Sequence, residues 1–282
     1  MECLHKTTNS VTLCARIIQR EEGMLANHIQ ELAAKGRSCF VFDDVTTLKD
    51  ASPFAIKAAL HRLHKKGEIA MPYRGFYVIV PPEYRASGCI PAEQFIPDLM
   101  DHLGESYYAG LLSAAEYHGA AHQRPQVFQV IAAKNRRPIE CGKIRVNFFF
   151  RKNAAAIPTA SINTPAGILK ISTPEATALD LIGYVSQCGG LDNVATILTE
   201  LAEKIDPARL RELAVLSPIA WVQRLGYLME SVGAHEKAAG IAEYVRERQP
   251  VRTPLAPALS IKGAKTERHW RVFINTKVEP DV

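Results

Sequence analysis

The chain has 282 residues, 47% of them hydrophobic and 22% charged. This globular balance excludes disorder as the organising state and, at roughly 150 residues per domain, implies about two domains. No apolar run approaches the ~20 residues that span a bilayer, and the opening MECLHKTTNS has neither the basic start nor the apolar stretch of a secretory signal, so the expected location is the cytoplasm with no membrane partner. A net charge of +5 is only mildly basic; it permits nucleic-acid binding and leaves the decision to how the charges are distributed.

From Val11 to Lys35 the apolar residues Leu13, Ile17, Leu25, Ile29 and Leu32 recur at helical spacing, with Gly23 as a candidate break and Gly36 as the stop. Cys39 to Phe42 reads as a short strand, after which Asp43 or Asp44 can cap a short helix through Lys49. Ser52-Pro53 starts the next helix, with serine at the cap and proline in the first turn, and Gly67 ends it. Two short strands, Glu68–Met71 and Phe76–Val80, flank Pro72-Tyr73-Arg74-Gly75 and form a hairpin. The predicted fold is α+β: a winged helix-turn-helix over 1–85, a boundary between Val80 and Pro97, and a larger mixed sheet-and-helix domain over 97–282. In that second part Tyr107–Gly119 reads as a helix, Val127–Ala133 and Ile144–Phe150 as strands, and Ser161–Thr164 with Ile168–Ser172 as a hairpin. Thr173-Pro174 opens a helix to about Ser186. Helices follow over Leu191–Ile205, Pro207–Leu216, Pro218–Ser231 and His235–Arg248, then an irregular segment from Pro250 to Thr266, and a last strand at Trp270–Ile274 returning to the sheet. The six cysteines form no C-x-x-C pair and read as free thiols.

The Pro53–Lys66 helix carries the strongest functional signal. Ile56, Ala59, Leu60 and Leu63 fall on one face, and Lys57, His61, His64 and Lys65 on another, with Arg62 and Lys66 nearby. A cationic face gains by releasing counterions from duplex DNA. A helix in the major groove reads base edges with its N-terminal residues, which places Ser52, Phe54, Ala55 and Lys57 there. Tyr73 and Arg74 at the hairpin tip can reach a phosphate or the minor groove. The candidate DNA contacts are therefore Ser52, Lys57, His61, Arg62, His64, Lys65, Lys66, Tyr73 and Arg74; a plain solvated surface explains any one of these lysines, but not the order of helix, helix, basic helix and basic hairpin.

The stretch Ala51–Val80, with Leu60-His61-Arg62-Leu63 and Gly75-Phe76-Tyr77-Val78, the segment Tyr107–Gly119, the run Ile171–Leu181 and Arg224-Leu225-Gly226-Tyr227-Leu228 resemble, in that order, the AbiEi family of antitoxins from type IV toxin–antitoxin and abortive-infection systems. The resemblance implies a repressor that binds inverted repeats in its own promoter through the winged helix, and a second domain that counters a nucleotidyltransferase-type toxin, with no cofactor.

A second basic stretch, with Lys134, Arg136, Arg137, Lys143, Arg145, Arg151 and Lys152 against Glu140 alone, supports additional DNA contacts by Lys134, Arg136, Arg137, Lys143 and Arg145, or equally a charged strand edge that discourages pairing. The cations of the C-terminal 40 residues read better as a solvated face. His118 and His122 share metal-ligand spacing but have Gly119 between them and no third acidic ligand nearby. No phosphate loop, G-x-S-x-G or H-E-x-x-H occurs, so a non-enzymatic protein is expected. An interaction module whose winged helix binds a partner protein, and an enzyme with a non-local site, remain the alternatives.

Overall fold

The computed structural model describes residues 22–46, 52–120 and 125–280. The chain divides into two compact units: Met1–Gly104 with Arg137–Val146 and Asn163–Leu169, and Glu105–Arg136 with Asn147–Ile162 and Lys170–Val282. Together they form an α+β architecture with an N-terminal helical and winged region and a larger C-terminal part.

In the first unit, helix α1 is described over 22–34; the residues before Glu22, Leu13 and Ile17 among them, lie outside the described residues, and with them one side of the expected break at Gly23. Gly36, at φ +78°, ends it. Strand β1 (Cys39–Val41) leads directly into α2 (Phe42–Thr46). Asp44 sits inside that helix and accepts the Val41 N–H at 2.9 Å, so it satisfies the helix start from the third position rather than as the cap. The expected extension to Lys49 lies outside the described residues. Helix α3 (Pro53–Lys65) begins as its sequence dictates: Ser52 is extended and its Oγ accepts the Ala55 N–H at 3.2 Å. Its buried Ile56, Ala59, Leu60 and Leu63 join Leu25, Ile29, Phe40 and Ile69 in one core.

Strands β2 (Ile69–Tyr73) and β3 (Phe76–Ile79) pair antiparallel, with the register shifting between Ala70 and Tyr73. That irregularity accommodates Pro72, which has no N–H for a ladder. The turn passes through Gly75 at φ +78°, and β1 joins the other side of β3 to give the sheet order β1-β3-β2. Between Val80 and Pro97, where the domain boundary is expected, helix α4 (Ala92–His102) begins. Pro97 removes one backbone hydrogen bond from its interior, yet Phe95, Ile96, Leu99 and Met100 are buried, and their burial outweighs that loss.

The second unit corrects two expectations. Tyr107–Ala109 is strand β4, not the start of a helix; helix α5 begins only at Leu111 and runs to Tyr117. β4 pairs antiparallel with β5 (Phe128–Ala132) and parallel, at Ala109–Ile171, with β9 (Gly167–Ser172). With β7 (Ile144–Phe150), β8 (Thr159–Thr164) and β6 (Ile139–Cys141), the last of which is assigned to the first unit, the six strands lie in the order β6-β7-β5-β4-β9-β8. Tyr108 and Ala109 are fully buried, so β4 lacks the alternation that marks a half-exposed strand. The second correction concerns the C-terminal strand: β12 (Val272–Ile274) pairs with β10 (Thr253–Pro254) and β11 (Lys265–Glu267) in a separate small sheet.

Helices α6 (Pro174–Gly183), α7 (Gly190–Leu201), α8 (Pro207–Ala214), α9 (Ile219–Ser231) and α10 (His235–Arg248) follow the expected order. The Thr173 and Asp206 side chains cap α6 and α8. Trp270 is fully buried against α9, where a Cβ on Gly226 would lie 2.0 Å from its ring. Cys39, Cys89, Cys141 and Cys188 are free and buried; burial pushes the thiols of Cys39 and Cys188 up to about 12. Cys3 and Cys14 lie outside the described residues. Gly226→Ala forces α9 and the indole apart; it is expected to destabilise the second unit by about 2–3 kcal/mol, read as a lower thermal midpoint, whereas Gly36→Ala, which meets no atom within 4 Å, bears only its backbone strain at φ > 0.

Candidate nucleic-acid interface

At 100° per residue, the side of α3 opposite its buried stripe carries Phe54, Lys57, His61 and Lys65. All four are exposed, as is His64 beside them. The first turn holds no acidic residue, so no side chain of that turn offsets the partial positive charge of the helix N-terminus. Lys57 Nζ lies 5.4 Å from the centre of the Phe42 ring, a cation–π contact that steadies the ammonium without neutralising it. Ser52 Oγ accepts the Ala55 N–H and keeps its hydroxyl proton for donation.

Arg62 and Lys66 face a different neighbour. Arg62 Nε donates to Glu22 Oε2 at 2.8 Å and Lys66 Nζ pairs with Glu22 Oε1. The hydrogen bond from Lys66, with Arg62 adding to it, holds the Glu22 carboxyl below the usual carboxylate range. These two cations therefore tie α3 to α1 in addition to whatever they offer a ligand. At the hairpin tip, Tyr73 and Arg74 are exposed next to the exposed Met71.

The second basic stretch divides in the same way. Arg136 makes two contacts to Glu105, at 2.8 and 2.7 Å, and Lys134 a third at 2.8 Å; the Arg136 hydrogen bond is the main cause of the lowered Glu105 pKa. All three belong to the second unit. Arg137, Lys143 and Arg145 belong to the first unit, with α3 and the wing, and are exposed. Arg145 stands directly across from Glu140 in the β6–β7 pair, and β6 is a sheet edge. The tip between these strands is pinned by its backbone, where the Lys143 N–H donates to Ser87 O at 2.7 Å. Gly142, at φ +59°, has no room for a Cβ beside that oxygen. Arg151, counted with this stretch, is buried and forms an ion pair with Asp180.

His118, Glu175 and Asp180 are used internally. His118 is buried; its Nε2 donates to Ser172 O at 2.8 Å, and its own carbonyl receives Lys204 Nζ. Glu175 accepts the Asp206 N–H at 2.9 Å. Asp180 accepts from the Tyr108 hydroxyl at 2.9 Å and from Arg151, and burial pushes its carboxyl up to about 6 despite these partners. His122 lies outside the described residues, among which no group of three or more His, Cys, Asp or Glu is placed to hold a metal ion. Nor is any helix among them long and apolar enough to cross a membrane. Sequence reasoning missed Glu22 and Glu105, because each meets its cations across a long separation in the chain and has no local signature.

Residues 108–231 match the family model of the AbiEi antitoxin C-terminal domain. The span similar to this domain runs from β4 to the end of α9 and contains Tyr108, Arg151 and Asp180 as well as Gly226. Among solved structures, the RV2827C protein from Mycobacterium tuberculosis is similar in fold, with a TM-score of 0.63 at 17% identity over 88% of this chain and 89% of that one. No curated protein matches the chain.

Burial lowers the pKa of His118 below its ordinary value, with Lys204 adding to the shift and Glu175 opposing it. A base depressed in the folded state stabilises the fold above its unfolded pKa, and that contribution is lost as pH falls through the folded value. Stability is therefore expected to drop as pH falls from 7.5 to about 5, and to drop less in His118→Gln; denaturant midpoints of the two proteins across this range measure the difference.

Proposed function

We propose that the chain is a sequence-specific DNA-binding repressor of the AbiEi antitoxin type, acting in the cytoplasm on inverted repeats in its own promoter. The supporting observation is the division of α3 into a buried apolar stripe and an opposite face of Lys57, His61 and Lys65, beside a hairpin whose tip presents Tyr73 and Arg74. In this reading α3 lies in the major groove and the wing contacts the backbone. Ser52, Lys57, His61, His64, Lys65, Tyr73 and Arg74 are the principal contacts of the domain spanning 1–85. Arg62 and Lys66 are secondary, because each shares its charge with Glu22.

Arg137, Lys143 and Arg145 extend the surface to flanking phosphates; Lys134 and Arg136 contribute less, being matched by Glu105. The AbiEi domain, taken over 97–282, serves the antitoxin role against a nucleotidyltransferase-type toxin without chemistry of its own.

About six phosphate contacts give a log–log salt slope near −5 and a loss on the order of 10³ in affinity between ~50 and ~200 mM salt. The double variant Lys57→Ala/Arg74→Ala should weaken binding to the DNA upstream of the gene and make the slope shallower by about 2, with unchanged thermal stability. A fluorescence-anisotropy titration at several salt concentrations, with scrambled duplex as competitor, measures both. Equal affinity for upstream and scrambled DNA removes the repressor reading; unchanged affinity in the double variant removes the site assignment.

A further inference from the structure

Phe54 is the side chain that electrostatics does not explain. It lies in the first turn of α3, 83% exposed, at the centre of the face opposite the core. Lys57, His61 and Lys65 follow it at i+3, i+7 and i+11, so the ring is framed by groups that attract phosphate. So exposed a ring adds nothing to the core that α3 forms with the other described residues, and a cationic face needs no such ring. The position is also the one a groove-bound helix uses to reach base edges, since N-terminal residues of such a helix enter deepest. The rigid backbone there, fixed by the Ser52 cap and by Pro53, presents the ring in a defined direction.

We propose that Phe54 reads the 5-methyl group of a thymine in the major groove, making it a specificity-determining residue of the DNA complex. The inference rests on the repressor reading. Its chemistry is distinct from that of the surrounding cations: phosphate contacts position the protein and carry no sequence information, whereas the thymine methyl is the apolar mark of the major groove, and aromatic side chains are among the groups that recognise it. Phe54 thus converts a helix that is attracted to any duplex into one that prefers a methyl-bearing step.

The test uses the full chain and duplexes of the DNA upstream of its gene in which each thymine is replaced in turn by deoxyuridine, a change that removes the methyl and preserves base pairing. Wild-type protein is expected to lose roughly 3- to 10-fold in affinity at one thymine, or at its symmetry mate in a repeat. Phe54→Ala, exposed and therefore expected to keep the wild-type thermal midpoint, should bind the unmodified duplex with the same reduced affinity and no longer distinguish thymine from deoxyuridine at that position. Wild-type binding that prefers upstream over scrambled DNA but ignores every deoxyuridine replacement overturns the role of Phe54 and leaves the repressor reading standing. A Phe54→Ala variant that retains the full thymine preference overturns it as well. Equal affinity for upstream and scrambled duplexes removes both.

Discussion

The second unit is organised around a buried ion pair. Asp180 is wholly inaccessible on α6, and a lone carboxylate there would be prohibitive. It is tolerated because two elements bring it partners: Tyr108 from β4 and Arg151 from beyond the end of β7. Arg151 continues outward to Ser217, and Asn153 to the Leu216 carbonyl, so the segment after β7, the central strand, α6 and the α8–α9 connection are fixed by one set of directional contacts. Such a pair adds little over a well-packed apolar alternative, but removing one member strands the other, at about 3–5 kcal/mol. Its tolerance for error is small, and its demands on geometry reach every helix that packs around α6.

What the sequence disclosed depended on how far each signal reaches. Ser52-Pro53 and Thr173-Pro174 are complete within four residues, and both helices start where those caps predict. The β-hairpin around Arg74-Gly75 and the one around Pro165-Ala166-Gly167 are equally local. β4 was misread because a strand buried on both faces has no alternation, and Tyr107-Tyr108-Ala109 runs into a genuine helix with only Gly110 between. α4 was hidden by Pro97, whose breaking tendency is local while the burial that overrides it is not. The partner of β12 could not be read at all, since nothing in Trp270–Ile274 distinguishes one sheet from another.

The same distinction governs the candidate interface. Counting cations along the chain finds Lys57, Arg62, Lys66 and Arg136 alike, and three-dimensional neighbours separate them. Lys57 rests on the Phe42 ring. Arg62 and Lys66 share Glu22, and Arg136 shares Glu105 with Lys134. The apolar residue on the exposed face of α3 was visible in the sequence, but its position opposite the core became informative only when the faces were laid out.

Trp270 lies outside the span that identifies the AbiEi domain, yet its ring occupies the space left by Gly226 within it, and its carbonyl accepts from Gln223 Nε2 at 3.2 Å. Leu255 and Val272, also beyond that span, are fully buried in the same core. The recognisable unit and the folding unit therefore end at different places. A chain cut after Ser231 would retain the whole matched span while exposing a groove shaped for an indole, and would behave as an aggregation-prone fragment rather than as an autonomous domain.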